Sequence, residues 1–327
     1  MNSGSPILPH ISVAPMMAWT DRHCRFLLRE TGSQITLFTE MITAGALLHG
    51  PRERLLAYDA REHPVVIQLG GSEPADLAQA AVFAAEAGFD EINLNVGCPS
   101  PRVQRGAFGA CLMREPELVG ELVAAMREAV HLPVTVKCRL GVDDADSQPL
   151  LEQFIATVAD AGCKRFYLHA RKALLNGLSP AQNRQIPPLQ YERVYALKTR
   201  FPELQIMING GVDSADAVAD HLSHTDGVMI GRAAYHNPLI MNELAVRFHG
   251  ERPRSAFDLM AGYRDYMIRE LDAGTRLADM TRHCLGLFSG MPGARRYRRL
   301  LSDHKALARN DIAVVDQAIG EVMERAA

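Results

Sequence analysis

The stretch Glu91-Ile92-Asn93-Leu94-Asn95-Val96-Gly97-Cys98-Pro99-Ser100 decides the fold. An apolar, strand-like run stops abruptly at Val-Gly-Cys-Pro, which sets one thiol on a turn where a strand has just ended. Glycine tolerates backbone conformations that other residues resist, and proline fixes φ and removes a donor, so Cys98 is expected in a rigid turn. In a parallel α/β barrel the C-terminal strand ends carry the chemistry. A thiol placed there can serve as nucleophile, metal ligand or proton donor.

Outward from this run, short apolar segments recur at residues 11–15, 35–38, 65–69, 134–137, 165–169, 205–209 and 227–230. Between them, residues 74–87, 116–130, 146–161 and 214–222 carry apolar positions three and four apart, the spacing of amphipathic helices. Eight strands alternating with helices over about 230 residues predict a TIM (β/α)8 barrel. The alternative, a doubly wound sheet, usually opens with G-x-G-x-x-G after its first strand, and none stands there. Beyond Asn237-Pro238 the strand signals cease. Residues 256–271, 276–288, 294–308 and 314–325 are periodic and helical, which predicts a small C-terminal helical domain. The expected division is residues 1–245 and 246–327.

Composition narrows the class. With 327 residues, 47% apolar and 22% charged, the chain is an ordinary globular protein with ample core. Net charge is −3, yet from Glu251 onward 13 Lys/Arg face 11 Asp/Glu, a mildly basic tail on an acidic body. The six cysteines form no C-x-x-C pair and no zinc spacing. The N-terminus lacks a signal-peptide pattern and no apolar run is long enough to span a bilayer, so a cytoplasmic protein with reduced thiols is expected.

Polar residues gather where the strands finish. Gln68, Asn95, Lys137, His169, Asn209-Gly210-Gly211 and Gly231-Arg232 all end strands, with Cys98 just beyond one. The loops after strands seven and eight of such barrels commonly bind phosphate, and the two Gly-containing ends supply close backbone approach with one cation. Lys137 and His169 then suit a flavin: a cation near the N1/C2 edge stabilises the reduced ring, and Gln68 or Asn95 can hydrogen-bond that edge. A metal is less persuasive, because one imidazole stands there without a clustered carboxylate.

With these motifs the chain resembles the tRNA-dihydrouridine synthases over essentially its whole length. The resemblance rests on Ala14-Pro15-Met16, Thr39-Glu40-Met41, Gln68-Leu69-Gly70-Gly71, Asn93 through Ser100, Val136-Lys137, His169-Ala170-Arg171, Ile208 through Gly211 and Met229 through Arg232. Gly177-Leu178-Ser179-Pro180 with Asn183-Arg184, Pro187-Pro188-Leu189 and Gly290 through Arg295 are similar to the bacterial A-type subfamily, which acts at D-loop uridines 20 and 20a. The resemblance implies an FMN-dependent enzyme, NADPH as reductant and tRNA as partner, with no obligate protein partner evident. It implies hydride delivery from flavin N5 to uracil C6 and a proton from Cys98 to C5. A free thiol, with a pKa of about 8.5, is mostly protonated at neutral pH, as a general acid requires.

By the same resemblance Pro15, Met16, Met17 and Gln68 line the isoalloxazine, and Lys137 and His169 bind the flavin. Asn209, Gly210, Gly211, Gly231 and Arg232 hold its phosphate, and Asn95 orients the uracil. Arg184 and the run Arg295-Arg296-Tyr297-Arg298-Arg299 are the expected tRNA contacts, with the interleaved tyrosine counted in their favour. Asn183 falls among positions expected to vary with tRNA contact. The competing enzyme class is a flavin barrel acting on a free pyrimidine, such as dihydroorotate, which leaves the basic tail unexplained. A tRNA-binding protein without catalysis would not need Cys98, Lys137 and His169.

Overall fold

The computed structural model describes residues 8–326; the ends of the two expected domains, residues 1–7 and 327, lie outside the described residues. Eight strands form one wholly parallel sheet: β1 (His10–Val13), β2 (Leu37–Thr43), β3 (Val65–Gly70), β4 (Glu91–Val96), β5 (Val134–Arg139), β6 (Arg165–His169), β7 (Gln205–Asn209) and β8 (Gly227–Ile230). Their order is β1-β8-β7-β6-β5-β4-β3-β2, with helices in every crossover. Helix faces that carry Leu77, Ala80 and Ala84, or Val119, Leu122 and Met126, pack on the apolar side chains of the strands. A buried leucine contributes about 1.5–3 kcal/mol, so this layer carries much of the stability.

The opposite strand face curls inward. Phe38, Val66, Tyr167, Met207 and Met229 from five strands meet Ala14 in one cluster. Where β1 approaches β2, the Val13 N–H donates to Thr36 O at 2.9 Å and the Thr36 N–H donates to Ile11 O at 3.0 Å.

Four expected elements needed adjustment. β2 begins later than residue 35 and runs through Thr39-Glu40, because a register shift between Phe38 and Met41 breaks the alternation that marks a strand. β5 extends two residues beyond Lys137, with Arg139 on the same strand face as Thr135 and Lys137. The predicted helix at 294–308 is two helices, Ala294–Leu300 and His304–Leu307, since Asp303 caps the second by accepting from the Lys305 and Ala306 N–H groups. The predicted helix at 276–288 stops at Cys284, and Gly286 packs so closely on the His236 carbonyl that a Cβ would lie 2.1 Å from its oxygen.

The C-terminal helices enclose a second apolar cluster, built on Leu259, Met260, Tyr263, Leu277, Phe288, Tyr297 and Val322. Phe26 and Leu27, on the helix Arg22–Arg29 that follows β1, belong to this cluster as well. Among the described residues no helix is long and apolar enough to cross a membrane.

Candidate active site at the strand ends

β4 sets the site. Strand periodicity puts Glu91, Asn93 and Asn95 on one face, and all three are buried. The Asn95 Oδ1 accepts from the Gly97 N–H at 3.2 Å and the Cys98 N–H at 3.0 Å. The Cys98 carbonyl accepts from Ala110 N at 2.9 Å. These bonds, rather than a special glycine conformation, fix the turn. Gly97 is not among the positive-φ glycines, and an added Cβ would meet its neighbours at 3.4 Å or more. Cys98 itself is half-buried.

Around it the strand ends carry an uncommon density of cations. Lys137 is half-buried and donates to Asn209 Oδ1 at 3.3 Å. Burial first, then Arg139, pulls its amine down to about 8. Arg139 is buried and donates to three carbonyls: Gly97 at 2.9 Å, and Lys172 and Asn183 at 3.0 Å each. It thereby ties the Cys98 turn to the loop after β6. Burial, followed by repulsion from Arg139, Lys137, Arg171 and Arg184, holds His169 well below the usual imidazole range. Arg184 is lowered by burial and by Arg232, and Arg171 likewise. Cys98 lies within electrostatic reach of Lys137, Arg139 and Arg184. Among the described residues none of these lysine and arginine side chains is paired with a carboxylate.

The glycines flank this cluster. Gly210 and Gly211 have φ of 119° and 72°; a Cβ on the first would lie 2.7 Å from the His169 ring, and one on the second 2.6 Å from Leu189. A Cβ on Gly231 would enter open space, beside half-buried Arg232. On the β1 side, Pro15 and Met16 are half-buried and Met17 is 62% exposed. Gln68 is buried and bonded to Asn93 and Asn95. Burial without saturating partners, several cations and close backbone approach together describe a site for an anionic, planar, hydrogen-bonding ligand.

Arg139 and Arg171 were absent from the expected set. Arg139 was legible as the residue two beyond Lys137 on the same strand face, once the strand is allowed to continue. Arg171 donates to the Gln185 and Pro187 carbonyls. Asn183, expected among positions that vary with tRNA contact, is buried: its Oδ1 accepts from Leu174 N at 2.8 Å and its Nδ2 donates to Leu174 O at 2.9 Å, which closes the intervening loop. Arg184, next in sequence, is exposed.

Arg295, Arg296, Arg298 and Arg299 are all exposed on the helix Ala294–Leu300, with Arg296 paired to Glu321 at 3.2 Å. Tyr297 does not share their surface. It is fully buried and donates to the Cys284 carbonyl at 3.1 Å, so it anchors the helix that presents the arginines. Of the remaining cysteines, Cys24, Cys138, Cys163 and Cys284 are buried and Cys111 is half-buried, all as free thiols. Among the described residues no group of three or more His, Cys, Asp or Glu could hold a metal ion.

The family model described as dihydrouridine synthase (Dus) matches residues 12–323 of this chain. The chain is 54% identical over 315 residues to the tRNA-dihydrouridine(20/20a) synthase of Vibrio cholerae, covering 95% of this chain and 96% of that protein. The protein of the same name from Escherichia coli strain K12 is 53% identical over 318 residues, covering 96% and 92%. That from Xanthomonas campestris is 54% identical over 293 residues, covering 90% and 88%. The chain therefore belongs to the dihydrouridine synthase family.

Proposed function

We propose that this protein is a cytoplasmic enzyme that reduces the C5=C6 bond of D-loop uridines 20 and 20a in tRNA, with bound FMN and NADPH as reductant. The observation that carries the reading is the cluster of Lys137, Arg139, His169, Arg171, Arg184 and Arg232 beside Cys98, without a carboxylate partner among the described residues. Buried Arg139 and half-buried Lys137, Arg171 and Arg232 carry charge without a counter-ion at a cost, which a dianionic phosphate with an electron-rich ring relieves, while His169 is held neutral and Arg184 is exposed. The residues present therefore fit FMN.

In this reading Lys137 and His169 hold the flavin, with Pro15, Met16, Met17 and Gln68 along its ring. Asn209, Gly210, Gly211, Gly231 and Arg232 take its phosphate. When bound, FMN supplies the hydride that reaches uracil C6 from its N5. Asn95 orients the uracil, and Cys98 gives the proton to C5, where enolate-like charge develops. The target uridine must be extruded from the tRNA fold at a cost of a few kcal/mol, which backbone contacts offset. In this reading Arg184, Arg295, Arg296, Arg298 and Arg299 make them, and the exposure of all five supports that role.

The division of labour follows. Residues 1–245 form the FMN-binding catalytic unit and residues 246–327 the helical tRNA-binding unit. The two hydrogen bonds between β1 and Thr36, with the inward cluster around Phe38 and Tyr167, support closure of the sheet into a (β/α)8 barrel. Nucleoside analysis of tRNA from cells lacking this protein tests the reading. Dihydrouridine at positions 20 and 20a should disappear; unchanged levels in cells without a second such enzyme would overturn it.

A further inference from the structure

A continuous row of buried side chains runs beneath the site. The Asn95 Nδ2 donates to Gln68 Oε1 at 2.8 Å, and the Gln68 Nε2 donates to Asn93 Oδ1 at 2.8 Å. The Asn93 Nδ2 donates to Thr135 Oγ1 at 2.9 Å, and the Thr135 hydroxyl donates to Glu91 Oε1 at 2.6 Å. All five residues are buried. Adjacent-strand register makes the row, since Gln68 pairs with Asn93 and Asn93 with Thr135.

We propose that Thr135 and Glu91 are positioning residues that fix which way the Asn95 and Gln68 amides face. An amide taken alone can turn over and exchange its donor and acceptor ends. This row removes that freedom. A carboxylate only accepts, and its other neighbours, Arg165 Nη1 at 2.5 Å and the Tyr167 hydroxyl at 3.3 Å, are also donors. Thr135 must then donate to Glu91 and accept from Asn93. Asn93 must accept from Gln68, and Gln68 from Asn95. Asn95 is left with its carbonyl toward the Gly97 and Cys98 N–H groups, which is the contact that holds the Cys98 turn. The two ends of the row demand the same polarity.

The consequence is chemical. Asn95 and Gln68 each retain one N–H that no described residue accepts. Both strand ends therefore offer donors to the ligand, and the ligand edge laid against them must carry carbonyl oxygens or ring nitrogens. This last step rests on the reading that FMN and uracil occupy the site.

Thr135→Val removes the hydroxyl at nearly constant volume, and Thr135→Ser keeps it. Thr135→Val should weaken FMN binding or lower kcat by about ten- to a hundredfold, the effect of one buried donor left unpaired. It should also shift the visible flavin bands and speed hydrogen exchange of the Gly97 and Cys98 amides. Thr135→Ser should stay within about threefold of the wild type in every readout, because its hydroxyl preserves the hydrogen bond. A purely structural role would lower the melting temperature and leave the flavin bands and those two amides unmoved. If Thr135→Val fails to fold, Glu91→Gln serves. Its amide can donate to Thr135, whose hydroxyl is then free to donate to the Asn93 amide oxygen, so the polarity of the row is no longer fixed. Equivalence of the Val and Ser variants in flavin bands and in amide exchange, or of Glu91→Gln with the wild type, overturns the proposal. Wild-type protein that binds no FMN would instead overturn the functional reading, and the amide-exchange comparison would still judge this one.

Discussion

Raising the pH from about 7 to about 9 should weaken FMN binding roughly tenfold, and Lys137 should be the cause. In the free protein, burial and then Arg139 pull the Lys137 amine down to about 8. Its one side-chain partner is the neutral Asn209. An anion bound against it favours the charged amine and returns its pKa toward the ordinary 10.5. The sign follows directly. Binding requires the charged form, which is about 90% of the free protein at pH 7 and about 10% at pH 9. Affinity is therefore full below the free-state value and falls as pH rises through it, by at most about 1.4 kcal/mol per pH unit. The phosphate itself is already a dianion over this range, so it adds little slope. Quenching of FMN fluorescence, titrated from about pH 6.5 to about 9.5 at constant ionic strength, reads the effect. Lys137→Met should bind more weakly at neutral pH and lose the slope. Lys137→Arg should lose the slope too, because a guanidinium stays charged throughout. A flat wild-type profile, or a slope that survives in Lys137→Met, would refute the reasoning.

Three other outcomes are expected. Cys98→Ala should bind FMN and accept hydride from NADPH normally, yet lose about 100- to 10,000-fold in uridine reduction, as measured by single-turnover reoxidation with tRNA. Arg298→Ala with Arg299→Ala should weaken tRNA binding and lower the slope of log Kd against log salt by about two, while FMN affinity holds. Glu62→Ala should destabilise the fold by about 3–5 kcal/mol in urea unfolding, because it strands Arg25, which bonds Glu62 at 2.5 Å with both side chains buried. A loss under about 1 kcal/mol would show that Arg25 finds water or another acceptor.

The strand–helix alternation was legible because parallel strands buried on both faces read as short apolar runs between amphipathic helices. Polar residues inside those strands were harder to interpret. Glu91, Asn93 and Asn95 alternate with Ile92, Leu94 and Val96, a period of two that marks a polar inner face. Lys137 was taken as the end of its strand, although the face continues to Arg139. Strand-end residues whose chemistry is local, such as Lys137 and His169, were therefore singled out, whereas those proposed to act through a row of neighbours were not. Gly97 shows the same limit from the other side. Sequence suggested a backbone reason for the rigid turn, and the cause is the Asn95 side chain two and three residues earlier. Tyr297 was grouped with its arginine neighbours because adjacency in sequence hides the turn of about 100° per residue that sends it into the core.

That helix geometry also decides how RNA binding by the tail should be tested. Truncation near residue 250 is the obvious experiment, but the helix Arg22–Arg29 contributes to both apolar clusters. Phe26 stacks on Tyr266 with ring centroids 3.9 Å apart, and Leu27 lies in the same buried cluster. Polar ties cross the same boundary: Arg22 pairs with Glu270 at 2.5 Å and Arg254 with Glu30 at 2.9 Å, while Asp21 takes Arg282 and His283. Removing the tail would expose Phe26 and leave Glu30 without Arg254, so lost activity would report damage to the sheet-bearing part as readily as lost RNA contact. The exposed arginines avoid this ambiguity. Arg295, Arg298 and Arg299 make no ion pair among the described residues, and their helix is held by Tyr297 from the other face. Their removal should therefore change the salt dependence of tRNA binding while thermal stability and FMN affinity stay where they were.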